Sequence, residues 1–352
     1  MANYAVIIPM AEAQIRDFLG VLMPYFDDPA TNEIMINAPH TVFVEQKGKT
    51  KPLNVDLHEK SIIGAMNAIA SWNRKEADLL MDARLKSMRV AAVMPPVAVH
   101  GPLISIRKLS IKPQTFADYQ ERGDFDPLNM RATEVSSLQN EREAMERSAA
   151  NGGAGLEYFF RWAMRARLNM VIAGGTSSGK TTLAGAFLDC IPDDHRVISC
   201  EDTNELVLRQ PNIVQLEASI NHEVDLRRLI KMCLRLRPDR IIVGEVRGPE
   251  IFDLLDAANT GHPGTLFTIH ADSATKALQR METLLRMSPE MREIRTTELR
   301  ELIASSVDYV VFQSRSGLRR APTEVIALEK QLDATGNYVI RTIYSTQPQE
   351  ST

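Results

Sequence analysis

The most constraining feature of the sequence is a glycine-rich run near the middle of the chain that satisfies the pattern G-x-x-x-x-G-K-[ST] in full. An apolar stretch, residues 170–173, precedes it, and a helical pattern over residues 182–188 follows. Glycines let backbone N–H groups approach phosphate oxygens, and the start of the following helix adds unpaired donors and a positive dipole end. The pattern therefore predicts a phosphate-binding loop formed by Gly174, Gly175, Thr176, Ser177, Ser178, Gly179, Lys180, Thr181 and Thr182.

Two side chains of this loop have specific predicted roles. We expect Lys180 to place its positive charge on the β- and γ-phosphates, and Thr181 to offer a hydroxyl ligand to Mg²⁺. The loop thus predicts binding of a nucleoside triphosphate, but the motif alone does not separate a kinase, a switch or a motor.

After residue 152 the sequence alternates between strand and helix patterns, which is typical of a parallel sheet covered by helices. We therefore predict an α/β domain over residues 152–345. Its predicted strands are 169–173, 196–200, 240–244 and 265–270, and its predicted helices are 156–167, 180–190, 225–236, 249–259 and 273–287.

The first third of the chain has a different pattern. A helix over residues 11–26 and a hairpin over 33–37 and 41–46 precede a helix over 57–73 and antiparallel strands within 83–109. This predicts a smaller α+β domain, residues 1–123. Residues 124–151 are polar and end in Asn-Gly-Gly, so we predict an interdomain linker that is partly helical over 136–150.

Composition limits the function classes. The 352 residues include 44% hydrophobic ones and carry a net charge of −4, which excludes wholesale disorder and favours neither nucleic acid nor an anionic membrane as partner. The cysteines Cys190, Cys200 and Cys233 have no C-x-x-C spacing, which favours a reducing cytoplasm over a disulfide or zinc framework. We expect a soluble protein, because no signal peptide and no uncharged apolar run of 18 residues is present.

An acidic residue, Glu245, follows the apolar run 241–243 at the predicted carboxyl end of a strand. In an open parallel sheet ligands bind at that edge, so this carboxylate is a candidate for polarising the attacking water and holding Mg²⁺. Gly244 stands where an aspartate usually holds the metal, so Glu245 would serve both functions, directly or through water. The alternative is a strand-end glutamate that faces solvent.

Two further strand ends carry candidates. Glu201 follows the strand pattern 197–200 and is predicted to position metal or water, whereas Asp202 and Glu205 are equally suited to capping the next turn. His270 ends the strand pattern 265–269, where it is a candidate sensor of the γ-phosphate; the alternative is a structural histidine.

Arginines cluster between residues 227 and 247, after Glu201 and around Glu245. A solvated helix face, a polar interface or the phosphates of a neighbouring subunit would each explain them. The cluster comprises Arg227, Arg228, Arg235, Arg237, Arg240 and Arg247.

Four blocks in this order carry a family resemblance: GGTSSGKTT, CEDTNEL, RPDRIIVGEVRGPE and NTGHPGTLFTIHADS. The chain resembles the secretion-superfamily traffic ATPases, and within them the ring ATPases of type IV secretion and conjugation of the TrbB type. The blocks lie between about residues 152 and 290, and the N-terminal segments NEIMINAP, MDARLKSMRVAAVMPP and ISIRK resemble the family's N-terminal domain.

The resemblance implies a RecA-like P-loop ATPase domain, ATP and Mg²⁺ as ligands, and a homohexameric ring that powers conjugative transfer or type IV secretion. It implies that Lys180 and Thr181 bind phosphate and Mg²⁺, that Glu245 is the catalytic carboxylate, that Glu201 assists, and that His270 senses the nucleotide. Arg107 matches the family's N-terminal arginine and is our candidate for reaching the phosphates. The expected partners are a secretion channel and other secretion ATPases, at the cytoplasmic face of the inner membrane and without sequence-specific nucleic-acid binding.

Alternatives remain at this point. A nucleotide switch or assembly scaffold that does not hydrolyse ATP is compatible with Gly244, and related motors drive pili or type II secretion. The net charge disfavours a nucleic-acid translocase. A small-molecule kinase is disfavoured because no acceptor-site motif accompanies the loop.

Overall fold

A computed structural model describes residues 4–72, 78–109, 115–125 and 132–347. Two sheets organise the chain: a six-stranded antiparallel sheet and an eight-stranded sheet that is mostly parallel. Their order along the chain agrees with the predicted α+β half followed by an α/β half. The boundaries 1–123, 124–151 and 152–345 themselves stay a prediction.

The antiparallel sheet has the strand order β3-β2-β1-β6-β5-β4. Helices pack against it around a core that includes Ile15, Leu22, Ile34 and Ile62. The strands are β1 (Thr31–Ala38), β2 (Thr41–Gln46), β3 (Lys49–Leu53), β4 (Leu80–Arg84), β5 (Met88–Val93) and β6 (Leu103–Lys108), and the helices are α1 (Tyr4–Phe18), α2 (Met23–Asp27) and α3 (Glu59–Trp72).

The first predicted helix is interrupted. A 3₁₀ turn, Gly20–Leu22, separates α1 from α2, and Pro24 lies in the first turn of α2. Glycine disfavours a helix interior, whereas proline is compatible only with a helix start, so one continuous helix over 11–26 is wrong. The predicted hairpin is confirmed and gains β3 as a third strand.

Three helices follow the antiparallel sheet in the chain and precede the parallel one: α4 (Phe116–Glu121), α5 (Ala132–Ala149) and α6 (Gly153–Arg165). The Glu146 side chain on α5 accepts hydrogen bonds from the Tyr309 hydroxyl at 2.6 Å and from Arg341 at 2.6 Å. The predicted linker segment therefore contains a helix that docks onto the parallel sheet.

The second sheet has the order β14-β13-β12-β7-β11-β10-β8-β9, and its strands from β12 to β9 are parallel. The predicted strands and helices of this half are confirmed to within a few residues, whereas β9, α11 and β12–β14 were not predicted from the sequence. The strands are β7 (Met170–Gly174), β8 (Val197–Glu201), β9 (Ile213–Glu217), β10 (Arg240–Val246), β11 (Leu266–His270), β12 (Tyr309–Ser316), β13 (Arg319–Leu332) and β14 (Tyr338–Ser345); the helices are α7 (Lys180–Leu188), α8 (Leu226–Cys233), α9 (Glu250–Asn259), α10 (Ala274–Leu285) and α11 (Thr296–Ser306).

The two halves share an interface. The segment after β5 runs beside β9, where the Glu217 N–H donates to the Val97 carbonyl at 2.9 Å and the Val99 N–H donates to the Gln215 carbonyl at 3.1 Å. The buried Arg196 guanidinium donates to the side-chain oxygen of Asn37 on β1 at 2.6 Å. Hydrogen bonds and apolar packing therefore join the antiparallel half to the edge of the parallel sheet.

Three of the six clustered arginines lie at this interface. Arg228, Arg235 and Arg237 pair with Asp78, Asp82 and Glu45 of the antiparallel half. For these three residues, the contacts favour the explanation by a polar interface, here within one chain.

Within the described residues, no helix combines the length and the apolar character needed to cross a membrane.

Candidate active site

The glycine-rich loop joins β7 to α7, as its sequence pattern predicts. Gly179 precedes the first residue of α7 with φ of +91°, a left-handed conformation that favours glycine. A Cβ on Gly174 would lie 2.5 Å from both the Gln313 carbonyl oxygen and the Ser178 hydroxyl oxygen. Close packing against β12 therefore requires glycine at the start of the loop.

The Lys180 ammonium turns back onto this loop. Its Nζ donates to the carbonyl oxygens of Gly174 and Gly175, each at 3.1 Å. Burial lowers its pKa below the ordinary lysine value, Glu245 opposes this effect, and Arg247 adds to it. Carbonyl groups hold the cation in place without neutralising its charge, so the charge remains available to a phosphate.

A cleft of about 1130 Å³ opens over the loop. It brings together predicted site residues from four strand ends and one helix start: Thr176, Ser177, Ser178, Gly179, Lys180, Thr181, Thr182, Glu201, Glu245 and His270. Gly174 and Gly175 lie in the loop beneath, and Arg107 is not among the described residues that line the cleft.

Strand order explains this convergence. The sheet places β11 between β7 and β10, and His270 pairs in register with Gly174. Glu245 belongs to β10, and Glu201 ends the next strand, β8. Because the carboxyl ends of parallel strands meet at one sheet edge, residues far apart in sequence face the same cleft.

Glu201 lies against Gly244, and only 2% of the Glu201 surface is exposed. A Cβ on Gly244 would be 3.0 Å from Glu201 Cγ and 3.2 Å from Oε1, so the carboxylate occupies the space that an aspartate side chain at 244 would need. Oε1 accepts the backbone N–H groups of Glu205 and Leu206, at 3.2 and 3.1 Å, whereas the buried Oε2 has no partner among the described residues. Burial raises the pKa of this carboxyl above its usual value, although the two N–H groups oppose that shift.

Glu245 is partly exposed and holds an ion pair. Its Oε2 accepts a hydrogen bond from Arg247 at 2.7 Å, and Arg247 also approaches Asp202 at 3.8 Å. A phosphate entering the cleft would compete for this guanidinium and thereby release the carboxylate.

The Thr181 hydroxyl donates to Glu205 Oε2 at 3.5 Å. Glu205, for which the sequence left capping of the next turn as an alternative, thus approaches the predicted metal ligand Thr181.

The donor set fits Mg²⁺, since this cation binds oxygen ligands and is usually held by one or two carboxylates together with substrate phosphates. Ser178 Oγ and Glu201 Oε2 are buried polar atoms without partners in the described structure, as expected where a ligand supplies the missing contacts.

Arg107 lies on β6 in the antiparallel half. Its Nε donates to Glu33 on β1 at 2.9 Å, and about half of the side chain is exposed. The predicted role of Arg107 at the phosphates stays a prediction.

Sequence reasoning missed several residues of the cleft. Thr268 lies two residues before His270 on β11. Its hydroxyl donates a hydrogen bond to the Gly244 carbonyl at 2.6 Å and so connects β11 to β10. Lys276 and Arg280 on α10, and Arg320 on β13, also line the cleft. Lys276 and Arg280 follow the histidine block at helical spacing, which is a local signal for residues on the face of the next helix, whereas Arg320 lies far downstream of every motif.

The fold and the cleft define the class: a P-loop nucleotide-binding protein with an α/β domain behind an antiparallel α+β half. The family model described as Type II/IV secretion system protein matches residues 20–315, and the chain belongs to this family.

Relatives and a solved structure agree. The type IV secretion system protein VirB11 of Bartonella henselae is 31% identical over 311 residues, covering 83% of this chain and 87% of the relative. The conjugal transfer protein TrbB of Rhizobium radiobacter is 33% identical over 331 residues, covering 91% of each chain. The crystal structure of the VirB11 ATPase of the Brucella suis type IV secretion system in complex with sulphate has a TM-score of 0.78 at 29% identity, covering 90% of this chain and 95% of the other. These findings confirm the predicted family and the RecA-like fold class.

Proposed function

We propose that this protein hydrolyses ATP and powers a type IV secretion or conjugative transfer machine. The observation that carries the proposal is that Lys180 and Glu245 line the same cleft. Lys180 is a candidate phosphate-binding cation at the start of α7, which follows β7, and Glu245 is a candidate base near the end of β10, which only β11 separates from β7. Family membership supplies the biological setting.

In this proposal the loop amides and Lys180 bind the phosphates, and Thr181 with Glu245 holds Mg²⁺. The ion, when bound, would neutralise charge on the phosphates. Glu245 accepts a proton from the attacking water, Glu201 positions that water from the space over Gly244, and His270 contacts the terminal phosphate beside the loop.

Two contacts of the structure must change when the nucleotide binds. Lys180 leaves the carbonyls of Gly174 and Gly175, and Arg247 exchanges Glu245 for phosphate. Each of these cations then exchanges a partner within the protein for the charged nucleotide. Because the exchange at Arg247 frees Glu245, nucleotide binding is coupled to activation of this carboxylate.

We further propose a homohexamer in which Arg107 reaches the cleft of a neighbouring subunit, because it does not line the cleft of its own chain. A secretion channel and other secretion ATPases would be the partners, at the cytoplasmic face of the inner membrane. No sequence-specific nucleic-acid binding is expected. Mass measurement by light scattering with ATP and Mg²⁺ tests the ring, and a strict monomer would contradict it.

Phosphate release by the purified protein tests the activity. We expect Glu245→Gln to lower turnover by about a factor of 100 or more while nucleotide binding persists, because glutamine keeps an oxygen ligand for Mg²⁺ but cannot act as the base. Lys180→Ala should weaken binding itself. The control is Glu293→Gln, at an exposed position outside the cleft, which should leave turnover unchanged. Equal turnover in all four proteins would contradict the proposed ATPase.

The second candidate is a nucleotide switch that binds ATP without cleaving it. The Arg247–Glu245 ion pair favours this candidate, because it occupies the proposed base. Single-turnover measurements with excess protein decide: cleavage of the bound ATP excludes the switch, and its complete absence excludes the motor.

A further inference from the structure

The β12–β13 hairpin extends beyond the sheet at the phosphate-binding loop. The pairing of β12 with β7 ends where Gln313 pairs with Gly174, whereas the β12–β13 ladder shifts register between Phe312 and Gln313 and continues to Ser316. In this continuation, Arg315 pairs with Arg320. The hairpin thus brings a basic residue from late in the chain to the start of α7.

Arg320 lies directly over the last glycine of the loop. A Cβ on Gly179 would be 3.2 Å from Arg320 Cδ and 3.6 Å from Gln313 Nε2, and Arg320 lines the same cleft as Lys180 and Thr182. Two positions with unused hydrogen-bonding capacity meet here. The buried Gln313 Oε1 has no partner among the described residues, and the exposed Arg320 guanidinium makes no hydrogen bond or ion pair with them.

Arg280 on α10 likewise has no hydrogen bond or ion pair among the described residues, but it is not a near neighbour of any loop glycine, whereas Arg320 is. The remaining cations of the cleft have partners. Arg247 pairs with Glu245, Lys276 pairs with Asp272 at 3.6 Å, and Lys180 bonds to loop carbonyls. An arginine that lies over a phosphate-binding loop without an acidic partner offers a planar set of N–H donors suited to phosphate oxygens.

Strand order indicates which part of the nucleotide Arg320 faces. The acidic residues Glu201 and Glu245 come from β8 and β10, on one side of β7, whereas Arg320 comes from β12–β13 on the other side. Because hydrolysis takes place beside Glu245, the opposite side faces the part of the nucleotide that is retained in the product.

We propose that Arg320 is a phosphate-binding residue supplied by the same chain, which contacts the phosphates common to ATP and ADP and closes the hairpin side of the site. This proposal rests on the proposed function. An interaction made equally with substrate and product strengthens binding without speeding the chemical step.

The test compares the dissociation constants of ATP and ADP, measured by calorimetry, and the kinetic constants of the wild type and four variants: Arg320→Ala, Arg320→Lys, Arg319→Ala and Lys180→Ala. For Arg320→Ala we expect affinity for ATP and ADP to fall by a similar factor of about 10, with KM raised and kcat unchanged. Arg319→Ala is the matched control, since it removes the same charge from the adjacent strand position, whose side chain faces the other way. Arg320→Lys should restore part of the affinity, because it keeps the charge and loses the planar donors.

Distinct outcomes separate the two proposals. Arg320→Ala binding both nucleotides like the wild type, while Lys180→Ala does not, would overturn the role of Arg320 and leave the proposed ATPase intact. A loss confined to ATP, or an equal loss in Arg319→Ala, would overturn it as well. A wild-type protein that binds neither nucleotide would refute the proposed function itself.

Discussion

The docking of α5 onto the parallel sheet gives a stability prediction that can be worked out from one side chain. Glu146 is 7% exposed and accepts four hydrogen bonds: one from Tyr309, one from Arg142 and two from Arg341, which lies 195 residues away in sequence. We predict that Glu146→Ala destabilises the protein substantially, whereas Glu143→Ala does not. Glu143 lies on the same helix but is more than half exposed, and among the described residues it pairs only with Arg147, at 3.6 Å.

The magnitude follows from what each variant leaves behind. Breaking a buried charge pair typically costs about 3–5 kcal/mol, since the remaining partner is buried without compensation. The Arg341 side chain is 45% exposed and can regain water, but the Tyr309 hydroxyl is buried and cannot. We therefore expect about 3 kcal/mol for Glu146→Ala, about 1 kcal/mol for Tyr309→Phe, and within about 0.5 kcal/mol for Glu143→Ala.

Urea unfolding followed by circular dichroism measures these differences. With an m-value of about 2–3 kcal/mol per molar urea, Glu146→Ala should lower the midpoint by about 1 M. A midpoint equal to that of Glu143→Ala would refute the reasoning, because it would mean that the contacts of Glu146 do not hold α5 on the sheet.

The same carboxylate predicts a pH dependence. Burial alone would raise the pKa of Glu146, but hydrogen bonds from Arg341, Tyr309 and Arg142 outweigh it, and the pKa lies below the ordinary value. A lowered folded-state pKa means that the stabilisation is complete above the pKa of the unfolded chain and is lost as the pH falls through the folded value. Wild-type stability should therefore fall on acidification below about pH 4.5, and Glu146→Gln should reduce that dependence.

Two further predictions concern the site and its sheet. Because burial raises the pKa of Glu201, ATP turnover should decline on acidification at a higher pH than an ordinary carboxylate would cause, and Glu201→Gln should remove that limb; identical pH profiles for both proteins would contradict its role. Gly264→Ala should cost about 3 kcal/mol or more, since its φ is +84° and a Cβ would lie 1.7 Å from the buried Arg240 Nη1. The control Gly261→Ala, with φ of +112° and open space around it, should cost about 1 kcal/mol; equal melting temperatures would show that the contact with Arg240 is unimportant.

Much of the site could be predicted because its signals are local. The glycine spacing, the apolar strand before it and the helical pattern after it lie within about 20 residues and place Lys180 at a helix start. Glu201, Glu245 and His270 each end a strand pattern, and the carboxyl edge of a parallel sheet gathers such residues whatever their distance in sequence.

Other features had no local signal. The hairpin carrying Arg320 follows the motif blocks by 30 residues or more, and its second strand is largely exposed at the start, so apolar alternation is weak there. The space over Gly244 is another case: the sequence shows a missing acidic side chain, but only the packing of β8 beside β10 shows that Glu201 fills it.

The sequence by itself determined where the chain turns from strand to helix, which loop can bind phosphate, and which acids follow the strands, because periodicity and glycine spacing act over a few residues. Only the tertiary structure decided the strand order, and with it the pairing of His270 with Gly174 and the place of Arg320 over Gly179. It also decided that Glu146 docks α5 through Arg341. Such contacts join residues far apart in the chain, and their energy depends on burial and packing that no short stretch of sequence contains.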